Sequence, residues 1–383
     1  MSKAGQSLKS VLLDLIHKSN GLRSFKQIHA HLLTSALVAN DLVISKVAIF
    51  LGKHVTDVHY PCNFLKQFDW NLSSFPCNLL ISGYASGHLP WLAILIYRWT
   101  VRNGFVPDVY TIPAVLKSCA KFYGIVEIKQ FHSVALKTAL WCDIYVQNTL
   151  VHVYCISGDT VGAGKVFDDM LVRDVVSWIG LISGYVKARL FNEAITLFLR
   201  MDVEPNVATF VSILGACGKL GCLNLGKGIH GLGLKCLFGK ELVVCNVVLD
   251  MYMKCESVTD GRQMFDEIPE KDIISWTSMI SGVLSACASL GLLDYGRWVH
   301  QYIDQCRIKW DVHIGTTLVD MYAKCGCVDM AQRIFSGMPS TNIRTWNAYI
   351  GGLAINGLGR EALKLFKDLI VSGAKPNEVT FLF

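Results

Sequence analysis

The chain has little charge and none of the residue groupings that usually hold a metal or a nucleophile. Asp, Glu, Lys and Arg make up 17% of its 383 residues, against 52% hydrophobic ones. Its fourteen cysteines form no Cys-x-x-Cys pair, and no Cys/His set has zinc-finger spacing. The His-x-Glu and Pro-Cys-x-x-Cys pairing that a zinc deaminase needs is missing, as are phosphate loops and nucleophile elbows. No catalytic residue, metal or cofactor is therefore expected. Nor does any apolar run of about 18 residues escape interruption by charge or turn residues. A membrane span is not expected. There is no secretory signal peptide, and the first residues are poor in the arginine of organellar transit peptides. Leu8, Val11, Leu12, Leu15 and Ile16 instead follow the spacing of a first helix.

What the chain has is a repeat. Tyr154, Phe167 and Trp178 recur as Tyr252, Phe265 and Trp276, 98 residues on at every marker, and again as Tyr322, Phe335 and Trp346, 70 further. Within the longer period lie three unlike units (144–174, 175–206 and 207–241), each with an apolar helix, a short turn and a second amphipathic helix. Gly158 and Gly326 stand where the first helix needs a left-handed end. The fold expected is an all-α, right-handed α-solenoid (superhelix) of stacked two-helix hairpin repeats. After a tail at 1–6, the array covers 7–378, in units of about 7–40, 41–73, 74–108, 109–143, 144–174, 175–206, 207–241, 242–272, 273–311, 312–342 and 343–377. Residues 379–383 begin a further repeat. The unit 273–311 joins the end of one motif to the middle of another, with Gly282 as the weak point of its first helix. Such stacking also explains the apolar composition, since each hairpin is covered on both sides.

Recurrent cysteines (Cys119, Cys217 and Cys287 in one helix position; Cys255 and Cys325 in another) read as small core residues in a reduced compartment. His132, His230 and His300 recur too, in separate units and with no recurring carboxylate or thiol beside them, which argues against a metal site. Trp178, Trp276 and Trp346 read as hairpin packing rather than base-stacking platforms. The net charge of +6 is a mild basic excess that needs a spatial pattern to carry meaning.

The strings "SWIGLISGYV", "VLKSCAKF", "ILGACGKLG", "GIHGLGLK", "LVDMYAKCGCVDMAQRIFSGMP" and "REALKLFKDLIVSGAKPN" resemble plant pentatricopeptide-repeat proteins, of the class that alternates long, short and standard motifs. The C-terminal E and DYW extensions of that class do not appear here. The resemblance implies binding of single-stranded organellar RNA, one base per repeat, by the fifth and last residues of each unit. Carried onto this chain, Asn78 with Asp108, Asn148 with Asp174, and Asn246 with Asp272 resemble uracil-reading pairs. Thr316 with Asn342 resembles an adenine pair and Asn347 with Asn377 a pyrimidine pair. Thr277 leans towards purine, with Asp311 as its nominal partner. Ile179 opposite Asn206 should read poorly, and the long units, with Pro113 and Val211 at the reading position, should be silent. The implied target is roughly 5′-U-N-U-N-N-U-R-A-Y-3′. Lys121, Lys187, Lys219, Lys254 and Lys324, each thirteenth in its unit, would follow the RNA backbone.

The resemblance further implies a monomeric, non-enzymatic adaptor in a mitochondrion, or alternatively a chloroplast. It would mark a site for cytidine-to-uridine editing or other processing, with a DYW-type deaminase or other editing factors acting in trans. Two alternatives stand beside it: a solenoid scaffold that binds peptides, and a truncated product without function, since the chain stops at "VTFLF", five residues into a unit.

Overall fold

The computed structural model describes residues 3–18, 21–35, 40–67, 74–122, 124–236, 241–306, 308 and 311–382. Among them are twenty-two α-helices and no strand, in two compact units, Met1–Glu204 and Pro205–Phe383. The first unit holds α1 (Lys3–Lys18), α2 (Leu22–Thr34), α3 (Asp41–His54), α4 (His59–Leu65), α5 (Phe75–Ser86), α6 (Trp91–Arg102), α7 (Thr111–Lys121), α8 (Ile125–Lys137), α9 (Ile144–Ile156), α10 (Thr160–Asp168), α11 (Val175–Lys187) and α12 (Phe191–Leu199). The second holds α13 (Val207–Leu220), α14 (Leu223–Lys235), α15 (Leu242–Lys254), α16 (Val258–Glu267), α17 (Ile273–Leu290), α18 (Leu293–Gln305), α19 (Val312–Lys324), α20 (Val328–Gly337), α21 (Ile343–Ile355) and α22 (Gly359–Val371).

In each unit the odd-numbered helices pack on one another in chain order, and each even-numbered helix from α6 to α22 backs onto its own hairpin partner. This is an all-α solenoid of two-helix hairpins. The two layers differ in composition because they differ in burial. Helix α19 buries Ile314, Leu318, Val319, Met321, Tyr322 and Ala323, whereas α20 buries only Ala331 and Ile334. Gly158 and Gly326 close their helices at φ +82° and +79°, the left-handed conformation that glycine adopts without strain.

Three sequence expectations change. Helix α1 begins at Lys3, inside the segment expected as a tail. In that helix Leu12 and Ile16 are buried but Val11 and Leu15 are exposed, and the Leu8 side chain lies outside the described residues, as does the boundary expected at 73. Helix α17 is an unbroken 18-residue helix, long and apolar enough by length and composition to cross a membrane. Gly282 does not interrupt it. The helix lies between α15 and α19, and Gly282 marks its close approach to α15: a Cβ there would sit 2.6 Å from three atoms of the Met253 side chain.

The recurrent aromatic, histidine and cysteine residues are packing devices. Phe167 with Trp178, Phe265 with Trp276, and Phe335 with Trp346 each meet edge to face at 4.9 Å. Cys255 and Cys325 direct their sulfurs at the backbone carbonyls of Cys217 and Cys287, at 3.8 and 3.6 Å. The Nδ1 atoms of His132, His230 and His300 hydrogen-bond the hydroxyls of Tyr154, Tyr252 and Tyr322, all at 3.0 Å, and His29 does the same with Tyr60 at 2.6 Å. Each bond ties the second helix of one hairpin to the next hairpin.

These four imidazoles are held below their ordinary value of 6.5, chiefly by burial. The unfolded chain therefore takes up protons near pH 6.5 that the folded chain refuses, so stability is full above that pH and falls as the pH drops below it. The melting temperature is expected to decline between about pH 7 and about pH 5, and to decline less in a His230→Gln/His300→Gln variant. A melting temperature flat across that window would contradict the assignment.

Candidate nucleic-acid interface

The fifth and last residues of a unit are far apart in sequence, and the fold brings them together. Asn78 Nδ2 donates to both carboxylate oxygens of Asp108 at 2.9 Å. Asn148 Nδ2 donates to Asp174 Oδ1 at 3.1 Å, and Asn246 Nδ2 to Asp272 Oδ1 at 3.1 Å and Oδ2 at 3.3 Å. Asn347 Nδ2 donates to Asn377 Oδ1 at 2.9 Å. In each pair the amide is the fourth or fifth residue of an odd-numbered helix, and its partner begins the next hairpin.

In several units the last residue also caps a helix. Asp174 accepts from the Ser177 amide, Asp272 from that of Ser275, Asn206 from that of Thr209, and Asn342 from those of Arg344 and Thr345. Capping satisfies amides that the first helical turn leaves unpaired. It also fixes the side chain that the paired amide then meets. Burial alone would raise the carboxyls of Asp108 and Asp174, but hydrogen bonds from Ser74 and Thr111, and from Ser177 and Asn148, outweigh it and hold both below the usual carboxylate range. Asp272 is lowered first by the Ser275 amide. All three are therefore carboxylates at neutral pH.

A third group completes the arrangement and was not among the residues expected from sequence. The hydroxyl three residues beyond the cap is buried and bonds back to the pair. Thr111 Oγ1 donates to Asn78 Oδ1 at 2.6 Å, Ser275 Oγ to Asn246 Oδ1 at 2.6 Å, and Thr380 Oγ1 to Asn347 Oδ1 at 2.8 Å. With the amide nitrogen on a carboxylate at Asn78 and Asn246, and on the Asn377 amide oxygen at Asn347, a flip would set oxygen against oxygen. Ser177 instead donates to Asp174, leaving Asn148 Oδ1 buried without a partner. The signal in the sequence is an Asp or Asn followed three residues later by Ser or Thr, a capping-box-like pattern seen at 108/111, 174/177, 206/209, 272/275, 342/345 and 377/380 but not at Asp311, which Ile314 follows.

The remaining expected pairs differ. Thr316 bonds the Val312 carbonyl at 2.6 Å and the Thr345 hydroxyl at 2.7 Å, so it reaches Asn342 only through Thr345. Asp311 caps α19 and makes no described bond to Thr277. Ile179 lies on α11 of the first unit, while Asn206 caps α13 of the second. Pro113 is buried in α7, and Val211 lies half-buried on α13. Lys121, Lys187, Lys219, Lys254 and Lys324 are all exposed near the ends of odd-numbered helices. Their surroundings are unlike: Lys254 is ion-paired with Asp250, and Lys324 with Asp320 at 2.8 Å.

Models of the PPR repeat match residues 148–175, 176–204, 243–273 and 316–343, and that of the PPR repeat family matches 341–382. The pentatricopeptide repeat-containing protein At4g38010 of Arabidopsis thaliana is 48% identical over 98% of this chain and 73% of its own length. At2g22410 of the same plant, named as mitochondrial, is 30% identical over 98% of this chain and 65% of its own. Relatives named as chloroplastic also match. The crystal structure of PPR10 in complex with an 18-nt psaJ RNA element superposes with a TM-score of 0.59 at 17% identity, covering 96% of this chain and 59% of that one. With its repeat models, its hairpin stack and its relatives in agreement, the chain belongs to the pentatricopeptide-repeat family.

Proposed function

We propose that the chain binds single-stranded RNA in an organelle and reads it base by base. It then acts as a site-recognition factor for cytidine-to-uridine editing or other processing, with catalysis supplied in trans. The carrying observation is the recurrence of one hydrogen-bonded pair, Asn with Asp, at the same place on α5, α9 and α15. An amide locked in one orientation presents a fixed donor and acceptor edge, which suits the Watson–Crick edge of an unstacked base. A peptide groove would gain nothing from such pairs at regular intervals. The PPR10 complex with RNA and the organellar names among the relatives support the same reading.

One feature favours a peptide-binding scaffold instead. An open apolar hollow of about 460 Å³ lies among α16, α17 and α18, lined by Phe265, Trp276, Trp298 and Tyr302. A salt titration separates the two. Binding to RNA containing 5′-U-N-U-N-N-U-R-A-Y-3′ should weaken steeply between about 50 and 200 mM salt, as counterion release requires. It should also weaken when the uridines are replaced by adenosines. Affinity that ignored both changes would dismiss the RNA reading.

A further inference from the structure

The thirteenth-position lysines fall into two groups, separated by the residue one helical turn earlier on the same face. In the second unit that residue is acidic for two of the three lysines, while Gly215 precedes Lys219. Asp250 holds Lys254, and Asp320 holds Lys324, each in an i,i+4 ion pair. In the first unit it is not: Lys117 precedes Lys121, and Ser183 precedes Lys187. Among the described residues neither Lys121 nor Lys187 has an acidic partner. Lys117 donates to the Tyr145 hydroxyl at 2.9 Å and lies over its ring, so its charge remains uncompensated.

Lys117, Lys121 and His152 line one hollow of about 280 Å³ between α7 and α9. The His152 ring is held below its ordinary value by packing and then by the charges of Lys187 and Lys117, so the positive field of both lysines reaches the same place.

Granting that the chain binds RNA, we infer that the first unit grips the phosphodiester backbone at this hollow with Lys187 beside it, and that Asp250 and Asp320 withhold Lys254 and Lys324 from the backbone. An exposed i,i+4 pair is weak, so a lysine can leave it cheaply. The carboxylate it leaves is the obstacle. A phosphate drawn to Lys254 or Lys324 comes well within the Debye length of about 8 Å of that Asp, and like charges repel there. Lysine and aspartate together contribute almost no net attraction, whereas the three lysines of the first unit add.

The test is fluorescence anisotropy with a uridine homopolymer, titrated at several salt concentrations, with a melting curve recorded for each variant. Lys121→Ala and Lys187→Ala should each weaken binding several-fold and make the salt slope shallower by about 0.7, the value of one single-strand phosphate contact. Lys254→Ala and Lys324→Ala should leave affinity and slope nearly unchanged. Asp250→Asn/Asp320→Asn should tighten binding and steepen the slope. Equal losses from all four lysines, or no gain from the double aspartate variant, would overturn the inference while leaving RNA binding intact. A wild-type chain without salt-dependent RNA binding would remove the underlying reading instead.

Discussion

Replacing Gly83 with valine is expected to unfold the front of the first unit, with a loss of about 3 kcal/mol or more. Helices α3 and α5 meet backbone to backbone. A Cβ on Gly83 would lie 2.5 Å from the carbonyl oxygen of Ala48. One on Gly52 would lie 2.3 Å from the Gly83 oxygen, and one on Gly87 2.1 Å from the Gly52 oxygen. Each obstacle is a helical carbonyl rather than the end of a flexible side chain, so relief requires the helices to part. Parting exposes Val47, Leu51, Leu80, Ile81 and Tyr84, all now buried. Because a repeat array is held by nearest-neighbour interfaces, the damage should stay local. Hydrogen exchange should accelerate in α3 and α5 while the amides of α19 and α21 keep their protection. Gly228→Ala is the control: nothing lies within 4 Å of a Cβ there, and removing a glycine from a helix interior should stabilise by up to about 1 kcal/mol. Equal protection in Gly83→Val and wild type would show that the helices are not in this contact.

The hairpin stack was legible from residue spacing because a solenoid repeats its contacts along with its sequence. Tyr252 and Tyr322 recur because His230 and His300 recur to meet them. The pairing of Asn246 with Asp272 was legible only through resemblance, since 26 residues separate them and nothing local couples the two. The role of the Ser275 hydroxyl is not legible in the sequence: only the packing brings it onto both Asp272 and Asn246. Gly282 was misread because a glycine inside a helix usually signals weakness, and the sequence does not show that Met253 needs the space. The ion pairs of Lys254 and Lys324 stood in plain view as Asp-x-x-x-Lys, but their meaning depends on which face of the helix meets a ligand.

Exchanging Asn246 for threonine and Asp272 for asparagine is expected to change the base preferred at the sixth position of 5′-U-N-U-N-N-U-R-A-Y-3′ from uracil to adenine. The double variant would place, on α15 and α17, the combination that stands on α19 and α21, where Thr345 links Thr316 to Asn342. The supporting parts are already present. Asparagine caps a helix about as well as aspartate, so α17 keeps its N-terminus, and Ser275 stands where Thr345 bridges Thr316 to Asn342. The electrostatics differ more than the shape does. Asp272 is acceptor-only and pins the Asn246 nitrogen, whereas an amide partner brings a donor as well. The fixed donor and acceptor edge at this unit is thereby replaced by a hydroxyl, which rotates and can accept the exocyclic amine of adenine. A good base-edge contact discriminates by about 1–3 kcal/mol, so the ratio of affinities for RNAs differing only at that base should reverse by tenfold or more. The single variant Asp272→Asn should do less, because Asn347 and Asn377 show that an amide pair can keep the same bond. Competition binding with the two RNAs decides it. If the double variant still preferred uracil at the sixth base, or if the change appeared at another base, these two side chains would not be the readers at that position.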